Sequence, residues 1–207
     1  MIYPMIGFLI ILAFLYLIYQ SKKPSGFVGL WMMKLWNYGI AFICPWLFGR
    51  SVSQLDYKKR YNAILDVGVG NGASSKYLKK HFPNSQVLGI DISSTAIRAA
   101  EKLAEPGLSF EVKNVEKTDL SVSEFDLITA FQTHFHWPNL TQSFLELKRI
   151  LKPDGIIILA CEWSKLAYYL PDFRKQEKLE NYLTDFGFHL INSQRKGQWI
   201  LYKIKKK

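Results

Sequence analysis

Cysteine is almost missing from this sequence: Cys44 and Cys161 are the only two in 207 residues. So few exclude a disulfide-stapled scaffold, and both lie in apolar stretches, as reduced core thiols of a cytosol-facing protein do. Neither has a second Cys or a His at metal-ligand spacing, so no zinc site is expected. Acidic residues are scarce beside basic ones, 17 Asp and Glu against 27 Lys and Arg, and the formal net charge is +10. That surplus points to an anionic partner surface, nucleic acid or membrane, without choosing between them. Apolar residues make up 49% and charged residues 21%, which excludes wholesale disorder. The length excludes two full catalytic domains but allows one domain with an attachment.

Charge is absent from the first 20 residues, and Met5 to Tyr19 is almost wholly aliphatic or aromatic. A helix over residues 1–20 would be about 30 Å long, enough to cross a bilayer core. A secretory signal is disfavoured, because no Lys or Arg precedes Lys22 and Ile18-Tyr19-Gln20-Ser21 is a poor cleavage site. The expectation is a transmembrane helix over 1–23, with Lys22 and Lys23 placing the following chain on the cytoplasmic side. Residues 24–60 read as an amphipathic juxtamembrane or cap segment carrying Trp31, Trp36, Tyr38 and Trp46. Such a segment either lies in the membrane interface or covers an apolar groove on the domain that follows.

From residue 61 the chain alternates short apolar runs with helical patterns. Strands are expected at 63–67, 86–90, 109–113, 125–130 and 156–161. Helices are expected at 73–82, from Ser93 or Ser94 to about Ala104, after Asn139, and from Asp172 to Phe186 before Gly187. Continuous apolar strands between helices indicate a parallel sheet buried on both faces. The last two runs flank a turn at Arg195-Lys196-Gly197 and must form an antiparallel hairpin.

The chemistry is concentrated at the first strand-to-helix turn, ILDVGVGNG, residues 64–72. Gly68, Gly70 and Gly72 allow close backbone approach to a ligand, and Asp66 sets a carboxylate beside them. Asp91 ends the second strand, where a carboxylate can accept both ribose hydroxyls of a nucleoside. Gly68, Gly70 and Ala73 also fit a dinucleotide fingerprint. Against that reading stand Asp66, a poor neighbour for a pyrophosphate, and the closing hairpin, which leaves no room for a substrate domain.

DVGVGNG, the downstream GIDIS, FDLITAFQTHFHW and RILKPDGIIIL together resemble the motifs of class I S-adenosylmethionine-dependent methyltransferases, type 11 subgroup. The resemblance covers residues 26–204. It implies an α/β, Rossmann-like seven-stranded sheet ending in an antiparallel hairpin, here preceded by a transmembrane helix, with 61–207 as the methyltransferase domain. It further implies S-adenosyl-L-methionine as cofactor. Asp66, Gly68, Gly70 and Gly72 would cradle its amino acid end, Asp91 would hold the ribose, and Ile92 would lie beside the adenine. Asn114 and Val115 match the adenine-edge position, where many members have Asp. Phe131 and Gln132 would flank the reactive end, and Gln132 stands where similar proteins often have Glu.

Methyl transfer from a sulfonium mainly needs positioning of donor and acceptor. Where the acceptor must lose a proton, His134 and His136 are the candidate bases. In an extended chain they share a face. His81 and His189 receive no role. Trp137, Trp163, Tyr168 and Tyr169 either line an acceptor pocket or pack a lid. The expected protein is a membrane-anchored methyltransferase acting on a small or lipophilic acceptor. A protein or RNA target and a non-catalytic cofactor-binding module are the alternatives. No recognisable RNA-binding module is present, so no nucleic-acid partner is expected, and oligomeric state is not legible.

Overall fold

The computed structural model describes residues 2–22, 25–29, 31–32, 48–55 and 59–207. Trp36, Tyr38, Cys44 and Trp46 of the expected amphipathic segment lie outside the described residues.

The α/β unit is built from seven strands in one sheet. They are β1 (Ala63–Val67), β2 (Gln86–Asp91), β3 (Leu108–Val112), β4 (Phe125–Phe131), β5 (Leu151–Glu162), β6 (Phe188–Lys196) and β7 (Trp199–Lys206). Their spatial order is β3-β2-β1-β4-β5-β7-β6. The first five are parallel, and β7 is antiparallel to both β5 and β6. Neighbouring residues of one strand face opposite layers: Ile64 and Leu127 enter one core, Leu65 and Ile128 the other. The central strands are buried on both faces and largely apolar, whereas β3 at the sheet edge alternates, with Ser109 and Glu111 exposed. β4 holds two polar residues: Asp126, which pairs with Lys152, and Thr129, whose partner is described below.

Helices cover both faces. They are α1 (Ile2–Lys22), which precedes the sheet, then α2 (Ala73–His81), α3 (Ser94–Ala100), α4 (Leu140–Ile150), α5 (Trp163–Tyr169) and α6 (Gln176–Asp185). Ser93 caps α3, its Oγ accepting from the Ala96 N–H at 3.2 Å. Asn139 caps α4, its Oδ1 accepting from the Gln142 N–H at 3.0 Å. α3 is shorter than expected, giving way to a 3₁₀ turn at Glu101–Leu103. α5 follows β5 directly, beginning at Trp163 after Glu162.

The expected transmembrane anchor is not borne out. Among the described residues no helix is long and apolar enough to cross a membrane. The last turn of α1 is polar, Gln20-Ser21-Lys22, and the Gln20 amide is occupied by the Tyr16 hydroxyl and Ser25 Oγ, each at 2.9 Å. Among the described side chains the exposed apolar run ends at Tyr19. The expected single-pass topology, with its cytoplasm-facing domain and membrane partner, falls with the anchor.

Residues 48–55 pack against the sheet. Phe48, Val52 and Leu55 join the core formed by Ile64, Leu127 and Ile158. Phe48 meets Phe131 edge-on, ring centroids 4.8 Å apart, and Tyr77 at 5.3 Å. Gln54 Oε1 accepts from Asn192 Nδ2 and Gln194 Nε2, at 3.0 and 3.1 Å. These contacts dock residues 48–55 on that side of the sheet. Phe48→Ala is expected to lower unfolding free energy by about 3–5 kcal/mol, the usual cost of emptying a buried phenylalanine site, as read by urea denaturation.

Candidate active site

The loop between β1 and α2 folds back on the end of β2. The N–H groups of Gly68 and Val69 donate to the Ile90 carbonyl at 2.8 and 3.2 Å. Gly70 and Gly72 take φ of +55° and +83°, a region that costs an L side chain about 1–2 kcal/mol. The two glycines differ in their surroundings. A Cβ on Gly72 would lie 2.9 Å from Ala100 Cβ and from the Phe110 ring, so this glycine lets α2 sit close to the sheet. A Cβ on Gly70 would meet nothing within 4 Å. Gly70 therefore opens toward free space, and its N–H donates to Asp91 Oδ2 at 2.9 Å.

Asp91 closes the other side of this concavity. Its Oδ1 accepts from the Ser93 N–H at 2.9 Å, and the Lys113 N–H ties the end of β3 to the Asp91 carbonyl. Burial raises the Asp91 carboxyl above its ordinary value, while the N–H donors of Ser93, Gly70 and Ile92 oppose that rise. With three N–H donors already on it, the carboxylate keeps about one of its four lone-pair sites for a ligand. Ile92, 44% exposed, adds an apolar surface beside it. Beyond β3, Asn114 turns its Oδ1 to the Glu116 N–H at 3.0 Å, and Val115 is buried.

Asp66 lies beneath the loop with its carboxylate buried. Oδ1 accepts from Thr129 Oγ1 at 2.7 Å, and Oδ2 from Ser75 Oγ at 2.8 Å and Ser74 Oγ at 2.5 Å. It pins the first turn of α2 to β1 and β4. Burial pushes its carboxyl up to about 6, against the lowering effect of the three hydroxyls. Ser74, Ser75 and Thr129 were not singled out from the sequence. The Thr129 hydroxyl in the apolar second half of β4, and the serine pair one residue beyond the glycine loop, are the available signals.

At the end of β4, Gln132 is a non-glycine residue at φ +60°. Its N–H donates to the Ala160 carbonyl at 2.8 Å and its Oε1 accepts from the Glu162 N–H at 3.3 Å. Backbone held in this region costs energy and clusters at functional sites. Phe131 is buried against Phe48.

His134 and His136 do not share a face. Residues 134–136 form a 3₁₀ turn, in which successive side chains are about 120° apart. His134 is buried, with Nε2 3.7 Å from Cys161 Sγ, and its Nδ1 has no hydrogen-bond partner among the described residues. Burial, with His136 adding to it, lowers its imidazole to about 3, so it is neutral and a weak base. Burial also pushes the Cys161 thiol up, keeping it protonated. His136 is half-buried, packed edge-on to Tyr169 at 4.8 Å, and Tyr169 stacks on Phe135 at 5.6 Å. Tyr168 is exposed at 79%.

The strand order and the antiparallel β7 are the fold seen in solved class I S-adenosylmethionine-dependent methyltransferases. Residues 65–159 match the family described as "Methyltransferase domain", and S-adenosylmethionine is the cofactor of that class. The chain is similar to 2-methyl-6-phytyl-1,4-hydroquinone methyltransferase of Synechocystis sp., 32% identical over 49% of this chain and 32% of that protein. It is also similar to malonyl-[acyl-carrier protein] O-methyltransferase of Methylovorus sp., 30% identical over 54% of this chain and 40% of that protein. The chain thus spans under half the length of these curated relatives. A SAM-dependent methyltransferase from Aquifex aeolicus superposes with a TM-score of 0.65, at 18% identity, over 76% of this chain and 88% of that one.

Proposed function

We propose that residues 61–207, with 48–55 docked on them, transfer a methyl group from S-adenosylmethionine to a small or lipophilic acceptor. The observation that carries this reading is the open Gly70 face bounded by the Asp91 carboxylate at the carboxyl ends of β1 and β2. The residues fit the cofactor. The loop 68–72 would take its amino acid end and Asp91 its ribose hydroxyls. Ile92, Asn114 and Val115 would take its adenine, and Phe131 and Gln132 would lie near its reactive end. When bound, the cofactor supplies a methyl group already activated on a sulfonium.

The chain's own groups then position and exclude. Phe131 and Phe48 keep water from one wall. Gln132 is held by its two hydrogen bonds to the end of β5, so its strained backbone presents a fixed edge. His136, not His134, is the candidate to receive a proton from a hydroxyl acceptor, because His134 is buried against Cys161. The names of the relatives, which methylate a hydroquinone and an acyl-carrier-bound malonyl group, support acceptors of modest size attached to lipophilic or carrier groups.

S-adenosylmethionine titrated into the full chain tests this. Asp91→Asn is expected to weaken binding roughly 10- to 100-fold, since charge-assisted hydrogen bonds contribute about 1.5–3 kcal/mol. No binding by folded wild-type protein, or equal binding by the variant, would overturn the proposal.

A further inference from the structure

We propose that the Thr133 hydroxyl accepts a hydrogen bond from the ammonium group of S-adenosylmethionine, the place that the sequence pattern gives to Asp66. This rests on the methyltransferase reading and assigns a further binding residue to that same site.

Asp66 is closed off from a ligand. It is 1% exposed and lies beneath the glycine loop rather than on its open face. Its Oδ1 is turned to Thr129 on β4, and its Oδ2 to Ser74 and Ser75 on α2. Rotating the carboxylate outward would strip all three hydroxyls of their acceptor inside the core, where an unpaired polar group is costly. A ligand ammonium therefore needs another acceptor on the exposed side of the loop.

Thr133 supplies one. It follows the end of β4, and β4 pairs in parallel with β1, so its turn and the glycine loop lie side by side at the carboxyl ends of the two strands. Parallel sheets take their ligands at that end. The two segments touch: a Cβ on Gly68 would overlap Thr133 Oγ1 and meet its Cβ and Cγ2 at 2.6 and 2.8 Å. Gly70, further along the loop, donates to Asp91 at the end of β2. A ligand with its ribose at Asp91 that follows the loop toward β4 would pass Gly70 and bring its amino acid end to Gly68 and Thr133.

The hydroxyl is available. Thr133 is the N-cap of the 3₁₀ turn His134–His136, where a threonine oxygen ordinarily accepts from a backbone N–H of the turn. Here the side chain makes no capping bond, and the His136 N–H goes instead to the Thr133 carbonyl at 2.8 Å. Half-buried, the hydroxyl has no hydrogen-bond partner among the described residues. Its oxygen offers two acceptor lone pairs. The preceding residue, Gln132, is held at φ +60° by its bonds to Ala160 and Glu162, which fixes the place from which Thr133 starts.

Isothermal titration of the full chain tests the assignment with three ligands. They are S-adenosylmethionine, its decarboxylated form, which keeps the amine, and methylthioadenosine, which lacks the whole amino acid end. Thr133→Val exchanges the hydroxyl for a methyl group of similar size. It is expected to weaken S-adenosylmethionine and the decarboxylated form roughly tenfold each, the loss of one hydrogen bond to a charged group, and to leave methylthioadenosine within about twofold. Thr133→Ser keeps the hydroxyl and should bind S-adenosylmethionine within about threefold of the wild type. Unchanged S-adenosylmethionine binding by Thr133→Val would overturn the proposal. So would an equal loss for methylthioadenosine, which would mark Thr133 as a packing residue of the loop. A loss seen with S-adenosylmethionine but not with its decarboxylated form would move the hydroxyl to the carboxylate and overturn the ammonium assignment. Wild-type protein that is folded and binds none of the three would overturn the methyltransferase reading itself.

Discussion

Gly70→Ala is expected to weaken S-adenosylmethionine binding roughly 10- to 100-fold while leaving the protein folded. Gly72→Ala is expected to destabilise the fold itself by about 3–4 kcal/mol. Both glycines have positive φ, so either alanine incurs the left-handed cost of about 1–2 kcal/mol. The surroundings separate them. At Gly70 the new methyl group meets no protein atom within 4 Å and extends into the space assigned to the cofactor. Overfilling a close contact typically costs about 1–3 kcal/mol, here charged to binding. At Gly72 the methyl group collides with Ala100 and Phe110 at 2.9 Å, so the same cost falls on folding. Isothermal titration and urea denaturation of both variants read the two effects. A Gly70→Ala protein that bound normally would remove the glycine loop from the cofactor site.

The second large effect is in the acid response. Burial holds His134 at about 3 against an ordinary 6.5. The folded state therefore binds fewer protons than the unfolded chain between these values. The stability that follows is fully present above about pH 6.5 and is lost as pH falls toward 3. A displacement of this size corresponds to roughly 4–5 kcal/mol. Asp66 acts in the opposite sense. Its carboxyl is raised from 3.8 to about 6, so the folded state binds more protons, and stability falls as pH rises through that window, by roughly 3 kcal/mol. Between about pH 4 and 6 the two oppose each other, with the raised Asp91 carboxyl acting in the sense of Asp66, and the wild-type profile should decline less steeply there than that of a protein lacking His134. Below about 4.5 the lowered carboxyls of Glu146 and Asp126 add to the loss. His134→Gln should uncover a profile that declines as pH rises from 4 to 6. Asp66→Asn should uncover one that declines as pH falls below 6.5. Urea denaturation of the three proteins from pH 4 to 7 measures the slopes. Identical slopes in all three would show that neither group titrates as its burial requires.

Much of the proposed cofactor side of the site is legible from local pattern. A strand ending in a glycine run, and a second strand ending in a carboxylate, need only chain-local chemistry to be recognised. The structure sets Gly70 and Asp91 in direct hydrogen-bond contact. The acceptor side was less legible. His134 and His136 look equivalent as letters two apart, and the 3₁₀ turn sends one into the core and leaves the other half-buried. Asp66 looks like a ligand residue from its place before the glycines, yet its two oxygens are engaged by Ser74, Ser75 and Thr129. The strained backbone at Gln132 leaves no mark in the sequence, because the side chain there is ordinary and its tether to Glu162 is 30 residues away.

The apolar first segment marks the limit of hydropathy reading. Its composition suggested a span, but the exposed apolar run stops at Tyr19, where Gln20 turns into a local hydrogen-bond network with Tyr16 and Ser25.

The sequence by itself determined the parallel α/β layering, the capped starts of α3 and α4, the glycine loop and the closing hairpin. Each depends on periodicity or on groups within a few residues of one another. Only the tertiary structure decided that β7 inserts between β5 and β6, that Phe48 packs on Phe131, and that Gln54 meets Asn192 and Gln194. Those pairings join residues roughly 40 to 150 positions apart. What selects them is burial of both faces of one sheet, a property of the packed whole that no local window contains.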